Sequence, residues 1–282
     1  MIRIVTDSAA DFSLEELSAL NIACCPMQIT FGEEAFADGV ELTADAFWAR
    51  LMSGENPKTS QPSPEVFLSV FEEAVRAGDE VVCVLVSSAL SGTLQSATIA
   101  CSMMDNPPVY IVDSLSVATA EQLLVRRACR LRDEGGLSAG DIARDLNAYK
   151  SRIRLYAAVD TLEYLARGGR IPKAAASLGS LVKLKPILTI SEEGLVEMAG
   201  KGLGAHRAMQ AMISLIKAHD IDESEPCLPL YAYSRENAEL FAGKLNQAGV
   251  SCSADQAVAI GSTIGTHAGP NAYGVVFVEK AR

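Results

Sequence analysis

The chain has 282 residues, 49% of them apolar and 21% charged, with a net charge of −11. That length suits one large or two modest domains with a full core, and the composition is that of an ordinary globular protein. The acidic balance argues against nucleic acid and anionic membrane surfaces as partners, because phosphates recruit basic surfaces.

Ile2–Val5 reads as a short strand that stops at Thr6-Asp7-Ser8. The start lacks the basic-then-apolar layout of a secretion signal, and no window approaches the roughly 20 apolar residues of a membrane span. A cytoplasmic chain without stable membrane insertion is expected. Ser13, followed three residues later by Glu16, has capping-box spacing and starts a helix. Residues 22–42 read as irregular strands with turns, one at Asp38-Gly39, and Thr43 caps the helix that carries Trp48. Asn56–Pro64, with three prolines, reads as a polar loop whose Ser63-Pro64 pair opens the next helix. Phe67, Val70, Phe71, Ala74 and Val75 then recur at helical spacing until Gly78.

The run that begins at Val82 is rich in β-branched residues and stops among small hydroxyl residues around one glycine. A buried parallel strand ending in this way delivers Ser91, Gly92 and Thr93 to a helix N-terminus, where backbone N–H groups and hydroxyls converge on an anion. Val109–Val112 repeats the pattern and stops at Asp113-Ser114. Three such strand–helix units predict a parallel sheet with a ligand crevice at its carboxyl edge. After residue 155 the pattern changes. Tyr156–Val159 reads as a strand, Pro186–Ile190 and Leu195–Met198 as a hairpin around Glu192-Glu193-Gly194, and Val275–Val278 as a last strand. Helices are expected near 205–218 and 235–247, with a strand near 229–233 between them. The expected fold class is therefore α/β in two domains. Residues 1–155 form an N-terminal parallel α/β sheet domain, and residues 156–282 a C-terminal α+β domain with a mixed sheet.

The seven cysteines include no Cys-x-x-Cys and several sit in apolar runs, which fits small buried side chains. Ser91-Gly92-Thr93 reads either as an anion cradle or as a plain helix cap, and no Gly-x-x-x-x-Gly-Lys-Ser/Thr phosphate loop occurs. His267 lies in the glycine-flanked segment Ile264–Pro270, read as a loop, where it either donates to an oxyanion or is structural. His206 and His219 fall on helical patterns as surface or packing residues. Arg167 and Arg170, around a Gly-Gly turn, either bind a carboxylate or phosphate bidentately or pair with Glu163 or Asp7. Ser91 and His267 with Asp7 or Asp113 admit a hydrolase reading, although Ser91 has no Gly-x-Ser-x-Gly elbow.

Several segments taken in order give the chain a family likeness. They are Thr6-Asp7-Ser8 with Asp11, Thr59-Ser60-Gln61-Pro62-Ser63, Ser87–Thr93 with Gln95-Ser96, Val112-Asp113-Ser114, Thr161–Leu165 through Arg167–Ile171, Lys185–Leu188 and Ile264–Pro270. Together they make the chain similar to the DegV family of bacterial fatty-acid-binding proteins, which includes the binding subunits of the fatty acid kinase system. The resemblance implies two α/β domains enclosing a long-chain fatty acid, with its carboxylate held by Thr59, Ser91 and His267. Gly92, Thr93, Ser60, Asp7, Ser8, Asp113, Gly265 and Thr266 are the implied supporting positions, with Arg167 and Arg170 near the head group or a partner surface. It further implies a carrier with no catalytic residue, metal or cofactor of its own, serving a separate fatty-acid kinase that forms the acyl-phosphate. Two other readings stay open: an acyl-ester hydrolase using Ser91 and His267, and a binder of another small anionic metabolite. One departure stands out. Gly269-Pro270 is followed by Asn271 where the family commonly has glycine, and asparagine tolerates a left-handed turn better than most residues.

Overall fold

A strand that is apolar on both faces belongs inside a parallel sheet covered on both sides. The run predicted from Val82 is such a strand, with Val81–Leu85 fully buried. The computed structural model of the protein describes residues 1–172 and 183–281. In chain order its first strands are β1 (Ile2–Asp7), β2 (Ile22–Cys25), β3 (Gln28–Phe31), β4 (Glu34–Ala37), β5 (Lys58–Ser60), β6 (Glu80–Leu85) and β7 (Val109–Asp113). They are followed by β8 (Ile153–Ala158), β9 (Leu184–Ile190), β10 (Val196–Leu203), β11 (Leu228–Tyr231), β12 (Val258–Ala259) and β13 (Tyr273–Val278).

The first sheet has order β2-β1-β6-β7, and every neighbouring pair is parallel. Val5, Cys83 and Leu85 pack on one side against Phe67 and Phe71 of the helix Pro64–Arg76 and Ala97 of Thr93–Ser102. Ile4, Val82 and Val84 face the other way, onto Leu124 of the helix Ala118–Glu134 and Ile142 and Leu146 of Ala139–Tyr149. The same cluster continues into Leu155, Leu230 and Val276 of a second, six-stranded sheet of order β10-β9-β8-β13-β11-β12. That sheet is antiparallel except between β11 and β12. Its far face, including Tyr156, Ile187 and Phe277, is covered by Met209 and Met212 of Ala205–Ile216 and Phe241 of Glu236–Gln247. The α/β class, parallel first and mixed second, is as expected. Among the described residues no helix is long and apolar enough to cross a membrane.

Two predicted caps form their side-chain bonds, whereas Ser63 stands at the N-cap before Pro64 without one. Ser13 and Glu16 exchange both capping-box bonds, and Thr43 accepts from the Ala46 N–H at 3.3 Å. Two local expectations need correction. Asn56–Pro64 is not a continuous loop, because Lys58–Ser60 pairs with β3 in a small antiparallel sheet of order β4-β3-β5. Pro57 and Pro62 fall outside those paired residues, so neither removes a donor from the ladder. Ile264–Pro270 is not a loop either, since most of it belongs to the helix Ser262–Ala268. Gly265 serves packing within that helix: a Cβ there would stand 2.7 Å from the Trp48 ring. Gly269, at φ +78°, ends it.

The first sheet also fixes where a ligand crevice can form. β1 has β2 on one side and β6 on the other, so the chain changes direction across the sheet between β1 and β6. Asp7 ties these two strand ends together, accepting from the Ala9 N–H at 2.8 Å and the Val86 N–H at 2.9 Å.

Candidate functional site

A cavity of about 230 Å³ lies beyond the ends of β1 and β6, walled by Ala9, Val86, Leu90 and Ser91 on that side. Leu155, Ala157 and Val159 wall it from the second sheet, their period of two setting them on one face of the chain at β8. Leu188, Ile190 and Val196 extend the same apolar wall along β9 and β10. Small-molecule pockets commonly measure about 300–1,000 Å³, so this volume suits a slender apolar ligand better than a bulky ring system.

The polar residues of the wall lie close together, and a few hydrogen bonds and close backbone approaches set their places. Thr59 Oγ1, on β5, lies 3.0 Å from Nε2 of His267 on the helix Ser262–Ala268. The His267 ring sits directly over Gly168, where a Cβ would come within 2.2 Å of Nδ1. The Gly168 carbonyl accepts from Arg170 Nη1 at 2.6 Å, and Arg170 Nε donates to the Leu90 carbonyl at 3.0 Å. Leu90 is joined to Ser91, whose hydroxyl lies 2.8 Å from that of Thr93. Gly92 then faces the Gln61 amide, where a Cβ would stand 2.6 Å from Nε2, and Gln61 is two residues from Thr59. Thr59, Gln61, Ser91, Arg170 and His267 all line the one cavity.

Burial pushes the His267 imidazole down to about 4, with the Arg170 charge acting in the same direction. His267 is therefore neutral at pH 7, and Arg170 supplies the positive charge among these residues. Burial also lowers the pKa of Arg170, yet a guanidinium starts so high that it keeps its proton. His267 Nδ1 is buried and has no hydrogen-bond partner among the described residues. A buried N–H without an acceptor is rarer than an unpartnered acceptor, which assigns the proton to Nε2. In that tautomer Nε2–H donates to Thr59 Oγ1 and leaves the threonine hydroxyl hydrogen free to donate elsewhere.

Several expected site residues serve the frame around this cluster. Asp7 joins strand ends, Asp113 accepts from the Ser88 and Leu115 N–H groups, and Ser8 donates to Asp38 at 3.0 Å. Thr266 donates to the Ser262 carbonyl within its own helix. Thr93 is fully buried between Ser91 and the Met27 sulfur, while Ser60 reaches the cavity wall beside Thr59. Arg167 pairs with Glu163 at 2.7 Å and bonds Asn56, and it does not line the cavity. Arg170 takes neither Glu163 nor Asp7 as its partner and stays in the wall. Asn271 has no positive φ, and its amide donates to Asp160 at 2.8 Å, so the glycine-like turn is absent. His219 is a packing residue as expected, bonded to Tyr156 and Glu279.

Sequence reasoning did not single out Gln61 or Gly168. Each lay inside a quoted motif, but only the fold brings Gln61 against Gly92 and Gly168 under the imidazole. Among the described residues no three His, Cys, Asp or Glu side chains are grouped to hold a metal.

A second cavity, of about 940 Å³, contains Asp7, Asp11, Glu16, Asp38 and Asp255 against a single Arg126. Burial and the neighbouring Asp38 raise Asp7 to about 7, and burial raises Asp11 well above the ordinary carboxylate range. With five acidic side chains and one arginine, this cavity offers no surplus of positive charge to hold an anion. The smaller cavity is the one electrostatically suited to an acid head group.

The fold and cavity define an α/β protein whose interlayer apolar pocket is closed by hydroxyl, imidazole and guanidinium groups. The DegV family model matches residues 1–280, and the chain belongs to that family. It is 33% identical to a DegV domain-containing protein of Caldanaerobacter subterraneus subsp. tengcongensis, with 99% of each chain covered. Among solved structures it resembles a fatty-acid-binding DegV family protein from Thermus thermophilus, at TM-score 0.86, 30% identity and 99% coverage of both chains. It likewise resembles a stearic-acid-binding protein from Eubacterium ventriosum, at TM-score 0.89, 28% identity and 99% coverage of both. DegV from Bacillus subtilis, a fatty-acid-binding protein, matches at TM-score 0.84 and 31% identity, again with 99% of both chains covered.

Proposed function

We propose that the protein binds a long-chain fatty acid between residues 1–155 and 156–282 and presents its carboxylate to a separate fatty-acid kinase. The observation that carries this reading is the gathering of Thr59, Gln61, Ser91, Arg170 and His267 in the wall of one otherwise apolar cavity, with Thr59 bonded to His267. The fatty-acid-binding DegV proteins of similar fold support it. Thr59 and Ser91 donate to the carboxylate, His267 holds the Thr59 hydroxyl, and Arg170 balances the charge.

Burying about fifteen methylenes at about 0.8 kcal/mol each gives roughly 12 kcal/mol before ordering costs are subtracted. Each hydrogen bond to the charged head adds about 1.5–3 kcal/mol. The tail therefore sets most of the affinity, while the hydroxyls set orientation and exclude other head groups. Phosphoryl transfer is assigned to the partner. The proposed setting is the cytoplasm, in keeping with seven free cysteines, since disulfides are rare in reducing compartments.

The hydrolase alternative fits the geometry less well. His267 bonds Thr59 rather than Ser91, and Asp7 and Asp113 are already engaged by backbone N–H groups. Native mass spectrometry of protein purified from bacteria tests the proposal: an intact copurified fatty acid is expected. A short polar anion in its place, or ester turnover abolished by Ser91→Ala, would overturn it.

A further inference from the structure

Asp38 follows β4 and has no place in the cavity that takes the fatty acid, yet it is buried and reaches across to the helix that carries His267. Its Oδ2 accepts from the Thr263 hydroxyl at 2.6 Å, the Thr263 N–H at 3.2 Å and the Ser8 hydroxyl at 3.0 Å. Thr263 and His267 are four residues apart on the helix Ser262–Ala268 and so share one face of it. Both contacts from that face go to the same small sheet. Thr263 meets Asp38 just past β4, and His267 meets Thr59 on β5. The helix lies against β3 and β5 and is fixed to the outer strands of that sheet at both ends.

We propose that Asp38 is a positioning residue for the fatty-acid head group: by clamping Thr263 it sets the helix so that His267 holds the Thr59 hydroxyl toward the cavity. The inference rests on the proposed function for its purpose, but its geometry concerns only this chain. Packing of Gly265 on Trp48 holds the helix broadly in place, and two bonds on one face, to Asp38 and to Thr59, refine its axial position and rotation. All three donors converge on one oxygen of Asp38, so an asparagine amide oxygen can replace it.

The test uses the full chain with three variants, Asp38→Ala, Asp38→Asn and Thr263→Val. In fatty-acid-free protein, NMR follows titration of the His267 imidazole, assigned by its loss in His267→Gln. Dissociation of cis-parinaric acid, a fluorescent long-chain fatty acid, is measured in parallel. Asp38→Ala is expected to release His267 from burial, so that it titrates nearer the ordinary imidazole value of about 6.5, and to speed dissociation about tenfold, the worth of one hydrogen bond. Asp38→Asn is expected to restore both to near wild type. Thr263→Val removes the 2.6 Å bond from a side chain that also lines the cavity, so its ligand-free His267 titration is the decisive reading, and that is expected to shift in the direction of the alanine variant. It decides the matter if Asp38→Ala does not fold. A folded Asp38→Ala or Thr263→Val with His267 unmoved, or an Asp38→Asn that behaves as the alanine variant, overturns the clamp. Because the titration is read without ligand, a protein that binds no fatty acid would sink the proposed function and leave this result standing.

Discussion

The Thr59 hydroxyl and the His267 imidazole meet at 3.0 Å across 208 positions of sequence. Each side chain completes the other: His267 gives Thr59 a defined hydroxyl direction, and Thr59 is the hydrogen-bond partner of the ring among the described residues. Thr59→Val strands a buried Nε2–H, a loss worth about 1–3 kcal/mol. Affinity for cis-parinaric acid is expected to fall about tenfold or more, and Thr59→Ser is expected to recover it. Equal affinities in Thr59→Val and wild type would remove Thr59 from the head-group subsite.

Gly168 and Gly92 respond differently to the same added methyl. At Gly168 a Cβ would stand 2.2 Å from the His267 Nδ1, against a ring held by its helix and by Thr59. At Gly92 the obstacle is the end of the Gln61 side chain, which has rotamers to spare. Gly168→Ala is expected to lose head-group selectivity, measured as the affinity ratio of a fatty acid to its methyl ester. Gly92→Ala is expected to keep most of that ratio.

The imidazole makes stability depend on pH. His267 titrates at about 4 in the folded protein and near about 6.5 when unfolded. Its contribution is complete above the unfolded value and is lost as pH falls through the window toward the folded one, by roughly 3 kcal/mol. Asp7 works in the opposite sense: it is raised to about 7, so its contribution is present at low pH and lost as pH rises through that value. The two windows overlap between about 4 and 6.5 and oppose each other, so His267→Gln is expected to make stability fall more steeply as pH rises through that range and to leave the slope above it unchanged, in urea unfolding between pH 4.5 and 8.

Ala157 faces the cavity from β8, opposite Leu188 across the strand pair. Ala157→Phe places a ring where the tail would lie, at an overpacking cost of about 1–3 kcal/mol. The variant is expected to fold and to purify without a long-chain fatty acid. Retention of the same lipid by native mass spectrometry would show that the tail runs elsewhere.

Ser91→Ala separates capture from presentation. On the proposed function the tail dominates binding, so the variant is expected to retain bound lipid while the rate of acyl-phosphate formation with a fatty-acid kinase falls by a larger factor. Equal loss of both would count against the presenting role.

Much of this architecture could be read directly from local pattern. Strands ending at Asp7, after Leu85 and at Asp113 announced a parallel sheet and its crevice, because burial on both faces leaves a continuous apolar run. The His267 helix was hidden by Gly265 and Gly269, ordinary loop signals that here serve packing against Trp48 and helix termination. β5 was hidden by the prolines around it. Asp38 read as half of a turn, because its partner Thr263 lies 225 positions away and no local rule connects them. Family likeness pointed to Thr59, Ser91 and His267, which line one cavity, but local pattern could not reveal which of them touch.

The sheet β4-β3-β5 has a consequence for the order in which the protein is made. It grips a helix translated some two hundred residues after Thr59, so the proposed head-group subsite cannot be completed until that helix has been made. Until residues 262–268 return to β5, the chain has its apolar walls without the contact that orients the Thr59 hydroxyl. Contacts so distant in sequence form slowly because loop closure precedes their reward. For a chain that binds as proposed, selectivity for an acid head matures after the apolar walls do, and the nascent chain would discriminate among lipids less than the finished protein.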